Sequence, residues 1–156
     1  MNRRPLLAAL PLLALPAQAR AQAALPPGLS ALPGEGWRVS FGAGQADLPQ
    51  GLAPMLAEIG RGLSARPVGT GRVSIEAQAS GPAEDASVAR RLSLARAEAV
   101  RQALAAGGLA TNRVDLRPLG RTAQALDCAD ILPPPPAGAR TTDPARNQPA
   151  RDAPAR

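Results

Sequence analysis

Only one stretch of this chain carries an apolar pattern from which a core can be built, residues 37 to 120, and the period of that pattern switches repeatedly along it. "WRVSF", Trp37 to Phe41, alternates with period two, as a strand does. A Gly-rich turn ends near Asp47. Leu52, Met55, Leu56, Ile59 and Leu63 then recur at i, i+3, i+4, i+7 and i+11, the stripe of an amphipathic helix. Pro54 lies inside that stripe and removes a hydrogen bond unless it falls in the first turn, so the helix is expected to begin late or to bend. "RVSIEAQ", Arg72 to Gln78, is a second strand with Val73, Ile75 and Ala77 on one face. Ser87 to Gly108 return to the helical period and are stopped by Gly107 and Gly108. "NRVDLRPLG", Asn112 to Gly120, supplies a third strand. Strand, helix, strand, helix, strand predicts the α/β class, a two-layer α+β fold in which helices pack on a small mixed sheet with parallel crossovers.

The flanks lack such a pattern. The chain opens with Arg3 and Arg4, an apolar run from Pro5 to Ala17, and overlapping Ala-x-Ala sites ending at Ala19, Ala21 and Ala23. This is the layout of a secretory signal peptide over 1–23, cleaved after Ala23, and its run is shorter than the roughly 20 residues of a membrane span. No cysteine follows it to carry a lipid. The mature chain is therefore expected to be soluble in a periplasm, without a transmembrane span. Residues 24–36 read as a Pro/Gly-rich linker. From Pro133 to Arg156, seven prolines in 24 residues and no apolar period read as a disordered Pro/Arg-rich tail. One domain is expected over 37–132, with its core in 37–120 and residues 121–132 as an annex to it.

Composition narrows the chemistry. Histidine is absent, which removes the usual zinc sites and the histidine-based triads, and lysine and tyrosine are absent too. General bases shrink mainly to carboxylates, so no enzyme, cofactor or metal is expected. The single cysteine, Cys128, excludes an intramolecular disulfide and reads as an incidental thiol. All 18 basic residues are arginine; without Arg3, Arg4 and Arg20 of the signal peptide, 15 stand against 12 acids, a net of +3. One Trp and one Phe leave little for bases to stack on, and nucleic acid is not expected as a partner.

The second helix poses a question. At about 100° per residue, Val88, Leu92, Ala95, Ala99, Val100, Ala103 and Leu104 gather on one arc, and Arg90, Arg91, Glu98, Arg101 and Gln102 gather opposite. Arg96 falls inside the apolar arc. A solvated charge has no need of that place. Either Arg96 faces a ligand, or it snorkels past the helix edge or pairs internally with a carboxylate such as Asp47 or Glu76. Glu84 and Asp85, just before the helix, either add charge to such a site or favour the helix N-terminus through its dipole.

"LSLARAEAVRQAL", Leu92 to Leu104, resembles the Leu-Ser-x-x-Arg-Ala-x-x-Val-x-x-x-Leu block of the OmpA-like domain, the peptidoglycan-associating C-terminal module of outer membrane protein A, found also in envelope lipoproteins and flagellar motor proteins. "VSFGAGQADLPQGLAPMLAEIGRGL" is similar to the opening of that domain, and "GGLATNRVDLRPLG" to the turn and third strand after its second helix. The resemblance spans residues 37 to 120. It implies non-covalent binding of the diaminopimelate stem peptide of peptidoglycan, with Arg96 at the position of an arginine that reaches the diaminopimelate carboxylate.

The family aspartate that meets the diaminopimelate ammonium stands at the end of the second strand. Matching "IEAQAS" to that strand end puts Ser80 there, and gapless counting back from Leu92 puts Gly81; neither is acidic. The asparagine three residues before the motif leucine is Ala89. The closing Asn-Arg-Arg-Val strand has only an echo at Arg146-Asn147, among prolines that cannot build a ladder, so it is expected to be missing. The resemblance thus implies an exported cell-envelope protein, outer-membrane or periplasm associated, whose peptidoglycan site, Arg96 and Ser80, is degenerate and weakened. The alternative is a non-enzymatic scaffold that binds other envelope proteins and has lost peptidoglycan.

Overall fold

The computed structural model describes residues 25–66 and 71–135. The signal peptide expected over 1–23, and the tail beyond Pro135, lie outside the described residues. Along the chain run β1 (Leu29–Leu32), β2 (Gly36–Ser40), α1 (Leu52–Ser64), β3 (Val73–Gln78), α2 (Ala86–Ala106), a single 3-10 turn (Thr111–Arg113), β4 (Val114–Gly120) and β5 (Cys128–Leu132). The five strands form one mixed sheet in the order β1-β2-β5-β3-β4. Both helices cover one face, so the expected two-layer α+β architecture is the one observed.

Two expectations about the strands are corrected. The closing strand is not missing: Cys128–Leu132 enters the middle of the sheet, antiparallel to β2 on one side and to β3 on the other. It carries only two inward residues, Ala129 and Ile131, and an aspartate at its centre, too little apolar signal to stand out. Asp130 is tolerated in a central strand because Arg38 on β2 grips both of its oxygens, at 2.7 Å each. The stretch read as a linker over 24–36 also contains structure. Leu29–Leu32 pairs antiparallel with β2 as an edge strand and sends Leu29 into the core. Pro134 is buried too, beside Gly71, so the folded unit extends past both expected ends.

The register explains the two faces. Trp37, Ile131, Ile75 and Leu116 lie side by side across the sheet, as do Val39, Ala129 and Ala77, all toward the helices. One residue along, the parity reverses, and the open face carries a row of Ser30, Arg38, Asp130, Glu76 and Arg117. Two adjacent acids would repel. An arginine at each end of the pair offsets this, Arg38 on Asp130 and Arg117 on Glu76.

Pro54 does not delay α1. Gly51 is the N-cap, so Pro54 is the third helical residue, where its missing N–H would have had no partner within the helix. Leu52, Leu56 and Leu63 are buried, with Met55 and Ile59 packed against the core. On α2 the buried arc is rotated from its expected position: Ala89, Ser93, Arg96, Ala97, Val100, Ala103 and Leu104 face inward, while Ala95 is exposed. The rotation brings Ser93 inside. Its hydroxyl donates to the Arg90 carbonyl at 2.9 Å and accepts the Gly120 N–H at 3.0 Å, tying α2 to the end of β4. Without it, the buried N–H would stand unpaired at a cost of about 1–3 kcal/mol.

Candidate functional site

Because β2, β3 and β4 run parallel, their carboxyl ends reach the same edge of the sheet, and the antiparallel β5 begins there. The loops at 41–50, 79–85 and 120–127 therefore converge, the kind of edge at which open sheets collect functional side chains. The N-terminus of α2 lies on the same side. Asp85 is its N-cap, accepting the N–H groups of Ser87 and Val88 at 3.0 and 3.1 Å. Its carboxyl is held below the usual carboxylate range by the Ser87 hydroxyl and the Val88 N–H. Asp85 thus serves the helix terminus, one of the two roles open to it from the sequence.

Arg96 occupies the centre of this junction with its side chain fully buried. Nε donates to the Gln45 carbonyl at 2.7 Å and Nη2 to the Gly42 carbonyl at 2.9 Å, closing the loop after β2. Nη1 donates twice at 2.7 Å, to the Gln78 carbonyl at the end of β3 and to Asp127 Oδ1. The guanidinium carbon also lies 5.1 Å from the centre of the Phe41 ring. Four of its five N–H donors are thereby spent on the protein itself. The internal partner is neither of the carboxylates considered from the sequence. Glu76 lies on the opposite face of the sheet with Arg117, and Asp47 is exposed.

Asp127 is the residue that sequence reasoning missed. It immediately precedes β5 and so falls between the ends of β2 and β3. Its carbonyl accepts the Phe41 N–H at 2.8 Å, and its Oδ1 accepts the Ser80 N–H at 3.0 Å beside Arg96. Its side chain remains 17% exposed, so one edge of the carboxylate meets solvent at the mouth of the junction. Ser80 is half-buried; its N–H goes to Asp127 and its carbonyl accepts from Arg121 Nη1. Gln78, also buried, accepts the Thr122 hydroxyl at 2.6 Å. Arg96 and Ser80 are thus brought together, with a carboxylate between them supplied from an unexpected part of the chain. The one available signal was an aspartate directly before the short alternation "CADIL".

Burial works against a charged Asp127, but the hydrogen bonds from Ser80 and Arg96, together with the Arg96 charge, outweigh it and hold the carboxyl below its ordinary value. A depressed folded pKa contributes stability that is fully present above the unfolded value, about 3.9, and is lost as pH falls through the folded one. Wild type should therefore lose its stability advantage over Asp127→Asn below about pH 4. Asp85 is common to both proteins and cancels from the comparison. Urea midpoints between pH 6 and pH 2.5 check this; a constant difference between the two proteins would remove Asp127 from the ion pair.

No family model matches the sequence, and no curated protein matches it. Among solved structures, the chain is similar to the peptidoglycan-associated lipoprotein from Burkholderia pseudomallei, with 19% identity, 61% of this chain and 87% of that one covered, and a TM-score of 0.52. It is also similar to the periplasmic domain of MotB from Helicobacter pylori, with 13% identity, 67% and 78% covered, and a TM-score of 0.51. The fold is OmpA-like. No helix among the described residues is long and apolar enough to cross a membrane.

Proposed function

We propose that this chain is an exported, periplasmic, non-enzymatic module that associates with peptidoglycan through the stem peptide. The observation that carries this reading is the carboxylate of Asp127, partly exposed at the junction of three loops and fixed by Ser80 and Arg96. It supplies, from the start of β5, the acidic group that the end of β3 lacks, and an ammonium group of the stem peptide is its natural partner. Arg96 and Ser80 belong to this site by holding Asp127 in place. The lipoprotein with the similar fold is peptidoglycan-associated by its name, which accords with the reading. The signal peptide over 1–23 accounts for export.

One observation favours the alternative, an envelope scaffold without peptidoglycan: the guanidinium that the family turns to its ligand is here fully enclosed. Sedimentation of the mature chain with purified sacculi separates the two. The chain is expected to pellet with diaminopimelate-type sacculi, to a smaller extent with lysine-type ones, and to be released by free diaminopimelate. Recovery in the supernatant with both sacculus types would leave the scaffold reading in possession.

A further inference from the structure

We infer that Arg121, a residue with no role so far, is the ligand-facing cation of this site and receives a carboxylate of the bound ligand; the inference rests on the binding function proposed above. Arg96 cannot take that part. Its side chain has no exposed surface, its donors are held by the carbonyls of Gly42, Gln45 and Gln78, and its charge is matched by Asp127. Arg121 is exposed and, among the described residues, makes no ion pair.

Its position is nevertheless fixed. Gly120, in the left-handed region at φ 69°, turns the chain out of β4, and Arg121 Nη1 then reaches back to the Ser80 carbonyl. The N–H of that same residue is bonded to Asp127 Oδ1. One backbone residue thus holds a guanidinium on its carbonyl side and a carboxylate on its amide side. Asp127 Oδ1 is taken by two donors, while 17% of the side chain stays exposed. A group carrying an ammonium and a carboxylate on one carbon, an α-amino acid centre, matches this arrangement: the ammonium donates to the solvent-facing side of Asp127 and the carboxylate accepts from the remaining N–H groups of Arg121. Arg96, Asp127 and Arg121 together sum to one positive charge, so the carboxylate is the anchoring half. A planar guanidinium can meet it with two parallel hydrogen bonds, which an ammonium cannot.

The test measures binding of the mature chain to diaminopimelate-type sacculi, untreated or with their carboxylates converted to amides. Arg121→Gln, Arg121→Lys and Arg91→Gln are compared with wild type. Arg91 is exposed on α2 and, among the described residues, hydrogen-bonds only to Ser87, so it controls for lost charge. Arg121→Gln is expected to weaken binding at least tenfold with no change in the thermal midpoint, and Arg121→Lys to recover part of it. Arg91→Gln should stay within about twofold of wild type, a change too small to reflect a lost charged hydrogen bond, and amidated sacculi should erase the difference between wild type and Arg121→Gln. Wild-type affinity in Arg121→Gln, or an equal loss in Arg91→Gln, would overturn the assignment of Arg121 while leaving peptidoglycan binding intact. If wild type itself binds neither preparation, the function and the assignment fall together.

Discussion

Replacing Arg96 with alanine is expected to remove about 3–5 kcal/mol of stability, because it deletes one member of an ion pair in a largely enclosed site and leaves the other behind. Three backbone carbonyls, of Gly42, Gln45 and Gln78, lose their donor in the same step. Set against the roughly 5–15 kcal/mol that separates folded from unfolded states in most domains, the loss leaves the variant marginal or unfolded. Arg96→Lys should recover little, since one compact ammonium cannot reach the loop after β2, the end of β3 and Asp127 at once. Chemical denaturation followed by circular dichroism measures both. A loss below about 1 kcal/mol, within the ordinary range for single substitutions, would mean that the guanidinium is not the clamp its contacts describe. This bears on how binding is tested: a failure of Arg96→Ala to bind sacculi would report unfolding, whereas Arg121→Gln leaves the core untouched.

How legible each element is in the sequence depends on how much of its stability is written locally. Both helices and the strands β2, β3 and β4 carry inward apolar residues at the period of their own structure, and each element lies where that period predicts, although the inward arc of α2 is turned from the expected one. β1 and β5 are held by their neighbours instead. Leu29–Leu32 contributes one buried side chain and leans on β2, and Cys128–Leu132 needs Arg38, 92 residues away in sequence, to make Asp130 acceptable. No local pattern encodes such a pairing. The site divides in the same way. Arg96 stands out because a charge on an apolar arc is a local contradiction, but its resolution, Asp127, lies 31 residues on and before a strand that was itself concealed. The placement of Glu76 was readable. Alternation with Val73, Ile75 and Ala77 already puts it on the other face of the sheet, away from α2.

The contact between the two helices leads to the other large effect. A β-carbon at Gly60 on α1 would stand 2.1 Å from the Leu104 carbonyl oxygen on α2, and one at Gly107 would stand 1.8 Å from the Ala57 carbonyl oxygen on α1. Both obstacles are backbone, so no side chain can turn aside, and the helices must separate. Alanine is otherwise the better residue inside a helix by about 1 kcal/mol, and Gly107, at φ −83°, has a backbone that alanine adopts freely. The overlap opposes that gain. Gly60→Ala and Gly107→Ala are each expected to be destabilising by about 3 kcal/mol, at the upper end of overpacking costs, because the helices carry Leu56, Leu63, Val100 and Leu104 with them as they move. Gly62→Ala is the control. It lies in the same helix with nothing within 4 Å of its added carbon, and should be stabilising by up to about 1 kcal/mol. The double variant at 60 and 107 should lose less than the two single losses combined, since one separation relieves both overlaps. Urea midpoints of wild type and the four variants decide the matter: stabilisation by Gly60→Ala equal to that by Gly62→Ala would mean that α1 and α2 do not approach backbone to backbone.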